Sequence, residues 1–203
     1  MLELIIASKN DGKIREIVDI LELSDVKVYT YKDFSDWPDV EETGTTFYDN
    51  ALLKAEALVE KYGKSAVSDD SGLEVDALGG DPGVDSAIYA GEHGNAAKNN
   101  EKLLRALDGV PEDERTARFR CVAILMTPDG WRISTEGTVE GRIGFEPRGA
   151  LGFGYDPLFF PTGETRTVAE MGLDEKNKIS HRGQAFMKMR EKMEEVRGHL
   201  KRS

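Results

Sequence analysis

Arg118-Phe119-Arg120-Cys121-Val122-Ala123-Ile124-Leu125-Met126-Thr127 runs into Pro128-Asp129-Gly130, and the chain continues from Trp131 to Val139. The first run reads as a strand, Pro-Asp-Gly as a turn and the second run as the returning strand. A hairpin is antiparallel by construction. Outward from it, helices and strands interleave. Leu2 to Ala7 reads as a buried strand, Ile14, Ile17, Val18 and Leu21 recur at helical spacing, and Val26 to Thr30 reads as a second strand. Thr46 to Tyr62 is the clearest helix, with Phe47, Ala51, Leu52, Ala55, Leu58, Val59 and Tyr62 on one stripe. Thr46 and Asp49 stand at its start as a capping box, and Gly63 marks its stop. A further helix is expected over Asn95 to Leu107, and a last one from about Ser180 to Leu200 with Phe186, Met189, Met193, Val196 and Leu200 on one face. Interleaving favours parallel strands and the hairpin does not, so the reading is an α/β protein with a mixed sheet.

The chain has 203 residues and a net charge of −11. That length suits one domain over residues 1–203. The negative charge argues against a nucleic-acid polymer or an anionic membrane as partner, though a small phosphorylated ligand needs only a local cluster of Lys and Arg. Cys121 is the only cysteine, which excludes an intrachain disulfide and a thiolate zinc cluster. Met1-Leu2-Glu3-Leu4 shows no basic region followed by a long apolar stretch, and no apolar run approaches a membrane span. A cytoplasmic location is expected.

The chemistry is concentrated in a few short segments. Lys64 to Ser68 reads as a short strand, with Asp69 and Asp70 at its end and Ser71-Gly72 following. Neighbouring carboxylates repel, and a divalent cation between them relieves that. Mg²⁺ binds through one or two carboxylates and keeps its other positions for water and phosphate oxygens. Taken alone, Asp-Asp-Ser-Gly is equally a simple turn. Ser8-Lys9-Asn10-Asp11-Gly12-Lys13 lies between a strand and a helix, where the helix N-terminus, Gly12, the donors of Ser8 and Asn10 and the charges of Lys9 and Lys13 suit an anion. It is no Walker A loop, because Ala7 and Ile14 stand where Gly and Ser or Thr would be needed. Read by itself it is also an ordinary strand-to-helix connection.

Glu41-Glu42-Thr43-Gly44 precedes the clearest helix, and Lys54 lies at the edge of that helix's apolar stripe. The glutamates can simply favour the helix N-terminus and the lysine can snorkel. Facing Asp69 and Asp70, Lys54 would instead neutralise phosphate or restrain a carboxylate. In Gly152-Phe153-Gly154-Tyr155-Asp156-Pro157 the two glycines leave the Phe153 ring standing out, able to stack on a nucleobase, with Asp156 an acceptor for a base edge or a side chain. Lys176 and Ser180-His181-Arg182 add donors, although Ser180 also suits an N-cap and Arg182 a surface charge.

Taken in order, these segments resemble the inosine triphosphate pyrophosphatase family, also described as dITP/XTP pyrophosphatases. The similarity rests on Ser8 to Lys13, Glu42 to Phe47, Asp69 to Gly72, Gly79 to Gly83, Gly152 to Pro157 and Ser180 to Arg182, and covers nearly the whole chain. The resemblance implies an elongated α/β fold with a central twisted mixed sheet, flanking helices, two lobes around an active-site cleft, and a homodimer. It implies Mg²⁺-dependent hydrolysis of ITP, dITP and XTP to the monophosphate and pyrophosphate, which cleanses the nucleotide pool. By motif position Asp70 would accept the proton, Glu42 and Asp70 would meet the metal, and Asp69, Lys13 and Lys54 would support catalysis. Ser8, Lys9, Asn10, Asp11, Gly12, Lys13 and Ser71 would hold phosphates. Phe153, Gly154, Tyr155, Asp156, Lys176, His181 and Arg182 would hold base and sugar. One departure is Ile88, where the family commonly has arginine. The rival readings are a Maf-like nucleotide pyrophosphatase of different base preference and a module that senses a triphosphate without cleaving it.

Overall fold

A computed structural model describes residues 2–23 and 26–200. Its strands are β1 (Leu2–Ile6), β2 (Val26–Tyr29), β3 (Ser65–Val75), β4 (Thr116–Met126), β5 (Arg132–Ile143) and β6 (Phe159–Pro161). Its helices are α1 (Asp11–Leu21), α2 (Phe47–Tyr62), α3 (Ala96–Ala106), α4 (Leu173–Ile179), α5 (His181–Glu191) and α6 (Met193–Leu200). The strands form one sheet in the order β2-β1-β3-β4-β5-β6. β1 runs parallel to β2, with Leu2 opposite Val26, and parallel to β3, with Ile6 opposite Val67. β5 and β6 are antiparallel, with Gly141 opposite Pro161. The sheet is therefore mixed, as the hairpin and the interleaved helices foretell. At Gly141 a Cβ would lie 2.2 Å from the Phe160 carbonyl oxygen, so only glycine lets β6 pair there.

Local chemistry sets the element ends. The hairpin closes with Thr127 N–H donating to the Trp131 carbonyl (2.9 Å). The Thr46 hydroxyl accepts from the Asp49 N–H at 3.1 Å to start α2. Gly63, left-handed at φ 60°, returns its N–H to the Val59 carbonyl to end it.

Two elements differ from the sequence reading. β3 does not stop at Ser68. It continues through Asp69-Asp70-Ser71-Gly72 to Val75, and every residue from Ser65 to Asp70 is buried. Asp, Ser and Gly favour turns, but burial and the place of β3 inside the sheet, between β1 and β4, override that local preference. The last helix is not continuous either: it starts after the extended Ser180 (φ −71°, ψ 156°) as expected, but α5 ends at Glu191 and α6 begins afresh at Met193. Phe186, Met189, Met193 and Val196 are nevertheless all buried in one cluster, while the side chain of Leu200 lies outside the described residues.

The chain forms two compact units, each assembled from separate stretches: 1–70 with 121–137 and 182–203, and 71–120 with 138–181. The first has a core of Leu4, Ile6, Ile17, Val67, Leu125 and Phe186 with their neighbours. The second is built around Leu73, Leu103, Leu107, Phe119, Leu158 and Phe159. No helix among the described residues is long and apolar enough to cross a membrane.

Candidate active site

In the first unit the strand geometry of β3 decides what its two aspartates do. Successive side chains point to opposite faces, so Asp69 and Asp70 have separate partners. Each carboxylate meets a cation of its own, while the Asp69 charge still helps to raise the Asp70 pKa. Asp69 Oδ2 accepts from Lys13 Nζ (3.3 Å), from Arg182 Nε (3.2 Å) and from the Cys121 thiol (3.8 Å). Arg182 also donates from Nη1 to Glu16 Oε2 at 2.7 Å. Arg182, Glu16 and Asp69 are 1%, 2% and 2% exposed. Burial works against the guanidinium's charge, but the Asp69 and Glu16 carboxylates outweigh it and raise the Arg182 pKa. The sequence reading places Arg182 among the donors to the base. In this structure its Nε and Nη1 are engaged by carboxylates of the first unit. Glu16 escaped the sequence reading because an acid in a surface-patterned helix announces no partner 166 residues away.

Asp70 faces the other set. Its Oδ1 lies 3.4 Å from Lys54 Nζ and its Oδ2 accepts from Asn50 Nδ2 at 3.3 Å. Lys54 Nζ also donates to Glu42 Oε2 at 2.9 Å. One ammonium thus bridges the two carboxylates that the motifs single out as metal ligands, and its partner is Glu42. Burial pushes the Asp70 carboxyl above its usual range, and Lys54 and Lys13 oppose that only in part. Burial also works to discharge Lys54, yet Asp70, Glu42 and Asp69 together prevail and raise its pKa. A carboxylate of raised basicity beside fixed cations is the environment expected of a general base. Ser71 follows in the same strand. Among the described residues no group of three or more His, Cys, Asp or Glu side chains could enclose a metal ion.

The Ser8–Lys13 segment forms the turn into α1. Asn10 is the N-cap, and its side-chain oxygen accepts from the N–H groups of Gly12 (2.9 Å) and Lys13 (3.1 Å). Ser8 Oγ accepts from the Asn10 N–H at 3.1 Å. The loop therefore holds its own shape at the positive end of the helix. Lys9 and Asp11 stand exposed and are paired with Asp39 and Lys32. Lys13 turns inward to Asp69 instead.

The second unit organises the aromatic loop. Gly152 and Gly154 have φ of 76° and 63°, and a Cβ at Gly152 would lie 2.2 Å from Asp156 Oδ2. That oxygen accepts from the Phe153 N–H (2.9 Å) and from Lys176 Nζ (2.9 Å), and the Lys176 ammonium lies over the Phe153 ring at 4.3 Å. Lys176 and Asp156 are buried. Tyr155 is buried too and donates its hydroxyl to the Ser86 carbonyl at 2.9 Å, so it anchors the loop. His181 stacks on Phe119 with centroids 4.8 Å apart. A small cavity is lined by Phe119, Asp156, Lys176, Ser180 and His181 among others. Phe153, Asp156, Lys176 and His181 are thus gathered in one unit. Ile88, at the departure from the family pattern, is 46% exposed.

Fold and site define an α/β protein whose sheet holds carboxylates against lysines in a manner suited to phosphate chemistry. The chain belongs to the Ham1 family, whose model matches residues 4–192. A dITP/XTP pyrophosphatase of Geobacillus kaustophilus is 50% identical over 198 residues, covering 98% of this chain and 97% of that protein. One of Bacillus subtilis is 46% identical over 194 residues, covering 96% and 98%. Among solved structures, a HAM1 protein from Coxiella burnetii superposes with a TM-score of 0.87 at 42% identity, covering 96% of this chain and 100% of that one. The Staphylococcus aureus Ham1 protein gives 0.85 at 41% identity, covering 96% and 99%.

Proposed function

We propose that this protein hydrolyses the non-standard purine nucleoside triphosphates dITP, ITP and XTP between the α- and β-phosphates, releasing the monophosphate and pyrophosphate. The observation that carries the reading is Asp70: a buried carboxylate of raised pKa, held by Lys54 and Asn50 within the same unit as the Ser8–Lys13 loop. Asp70 takes the proton from the attacking water. Lys13, Lys9 and the donors of Ser8, Asn10, Asp11 and Gly12 meet the phosphate chain, and Ser71 adds a hydroxyl. Asp69 holds Lys13 in place, and Arg182 in turn holds Asp69. Positioning and fixed charge supply most of the rate, with no covalent nucleophile. The Cys121 thiol is buried and has no part in the chemistry.

Mg²⁺ fits the residues present. Glu42 and Asp70 already converge on one cation, the Lys54 ammonium, and their all-oxygen donor set suits a hard ion that takes two carboxylates and completes its shell with water and phosphate. Bound by Glu42 and Asp70, the metal would neutralise phosphate charge and make a nearby water more acidic. In the second unit Phe153 stacks on the base, with Gly154 and Tyr155 shaping its loop. Asp156, Lys176 and His181 then meet the edges of base and sugar. The enzyme acts in the cytoplasm as a homodimer on free nucleotides, without a nucleic-acid or membrane partner.

Asp70→Asn keeps the shape and removes the base. Its kcat is expected to fall by at least ~10²-fold, the usual contribution of a general base. The circular dichroism spectrum and melting temperature should stay close to those of the parent, because the amide relieves a buried charge. Turnover within ~3-fold of the parent would refute the assignment of Asp70 as the base.

A further inference from the structure

Asn50 touches neither water nor substrate in the roles assigned above, yet it sits at the junction of the two carboxylates that matter most. It lies in the first turns of α2 and is 2% exposed. Its Oδ1 accepts from the Gly44 N–H at 2.8 Å, and its Nδ2 donates to Asp70 Oδ2 at 3.3 Å. The orientation of the amide is not arbitrary. A backbone N–H can only donate, so the end facing Gly44 must be the oxygen and the end facing Asp70 must be the NH₂. The close approach also needs glycine, since a Cβ at residue 44 would stand 2.6 Å from Asp49 Cβ and 2.7 Å from Asn50 Oδ1.

These contacts close a ring. Glu42 leads through Thr43 to Gly44, which bonds Asn50. Asn50 bonds Asp70, whose other oxygen faces Lys54, and Lys54 returns to Glu42. Every other side chain that closes the ring is charged and can exchange partners as a triphosphate binds. Asn50 is neutral and buried, and its two bonds engage both ends of the amide. With Oδ2 held by the amide, the carboxylate of Asp70 cannot spin, and Oδ1 is the oxygen turned to the cationic side.

We propose that Asn50 is a positioning residue: by bonding Gly44 and Asp70 Oδ2 it fixes the rotation of the Asp70 carboxylate and tethers to it the segment that carries Glu42, leaving Asp70 Oδ1 to take the proton. This rests on Asp70 being the proton acceptor. A group that acts through Asp70 has nothing left to position once Asp70 is gone, whereas a group that merely stabilises the fold acts whatever residue 70 is. A double-mutant cycle separates the two.

The cycle uses Asn50→Ser and, as a second route that leaves Asn50 in place, Gly44→Ala, whose methyl group strikes Oδ1. Each is made alone and with Asp70→Asn in the full chain, and steady-state rates are measured on dITP with Mg²⁺. Melting curves report the folded fraction. Each single variant is expected to lose roughly 10- to 10²-fold in kcat, the scale of losing a residue that orients a reacting group, with KM within about 3-fold. Added to Asp70→Asn, each should cost less than about 3-fold more. If either folded variant leaves kcat unchanged, or multiplies the Asp70→Asn loss in full, Asn50 does not act through Asp70 and the proposal fails. Near-normal turnover of Asp70→Asn alone would instead overturn the proton-acceptor assignment, a distinct outcome read from a different arm.

Discussion

ATP is expected to be turned over with a kcat/KM roughly 10⁴-fold below that of ITP, because a site built to hydrogen-bond one group leaves buried polar atoms unpaired when the group is exchanged. Hypoxanthine and xanthine carry an oxygen at C6, an acceptor, where adenine carries an amino group, a donor. Lys176 is 4% exposed, and an ammonium has donors only. Whatever it meets must accept, as Asp156 does at 2.9 Å. An adenine amino group brought to the same place meets donor with donor. Arg182 donates to Asp69 and Glu16 through Nε and Nη1, and beside it Lys176, His181 and backbone N–H groups are the donors expected to discriminate. Lys176→Gln, which offers an acceptor as well as donors, should narrow the ITP/ATP ratio, and kcat/KM for both substrates checks it. A ratio below ~10 in the parent enzyme would mean that these donors do not face C6.

Arg182→Ala is expected to destabilise the protein by about 3–5 kcal/mol, the range found when one member of a buried ion pair is removed and the other stays charged. Here Glu16 and Asp69, both buried, would lose the guanidinium they share, and Asp69 would keep Lys13. The mechanism is not the loss of attraction as such, since burying these charges carries its own desolvation cost. What destabilises is removing a shared counter-charge from two buried carboxylates. Equilibrium urea unfolding of the parent and the variant gives the difference. The companion change Glu16→Gln in the Arg182→Ala background should recover part of the loss by removing one buried charge. A difference below about 1 kcal/mol for Arg182→Ala would place the guanidinium in solvent and contradict the buried triad. The same lesion should also reach activity, because Asp69 is shared between Arg182 and Lys13.

What could be read in the sequence was what is written locally. α2 was legible because its stripe, its Thr46 cap and its Gly63 stop all lie within one helix, and the hairpin because Pro128-Asp129-Gly130 marks a turn directly after the apolar run from Cys121 to Met126. The run of β3 through Asp69-Asp70-Ser71-Gly72 was not. These residues prefer turns, and what holds them extended is a strand partner and an arginine 113 positions away. The same distance explains Glu16 and the reassigned partners of Arg182. Asn50 lay in plain view in the helix, but an asparagine acquires meaning only from what its two ends touch, here Gly44 and Asp70. The start at Ser180 agrees with its N-cap chemistry, but the break after Glu191 was hidden because Phe186, Met189, Met193 and Val196 keep one apolar spacing across it. Lys13, Lys54, Asp69 and Asp70 were named from motif order, and the structure adds which cation serves which acid: Lys13 bonds Asp69, while Lys54 links Glu42 to Asp70.

If Asp70 and the Ser8–Lys13 loop direct water to the α-phosphorus, the products formed from dITP in the presence of Mg²⁺ will show it. Anion-exchange separation of the nucleotides, with parallel assays for pyrophosphate and orthophosphate, is expected to show dIMP and pyrophosphate appearing together in equal amounts from the first turnovers, and neither from Asp70→Asn on the same timescale. Formation of dIDP with orthophosphate as the first products would place the attack at the γ-phosphorus, away from Asp70.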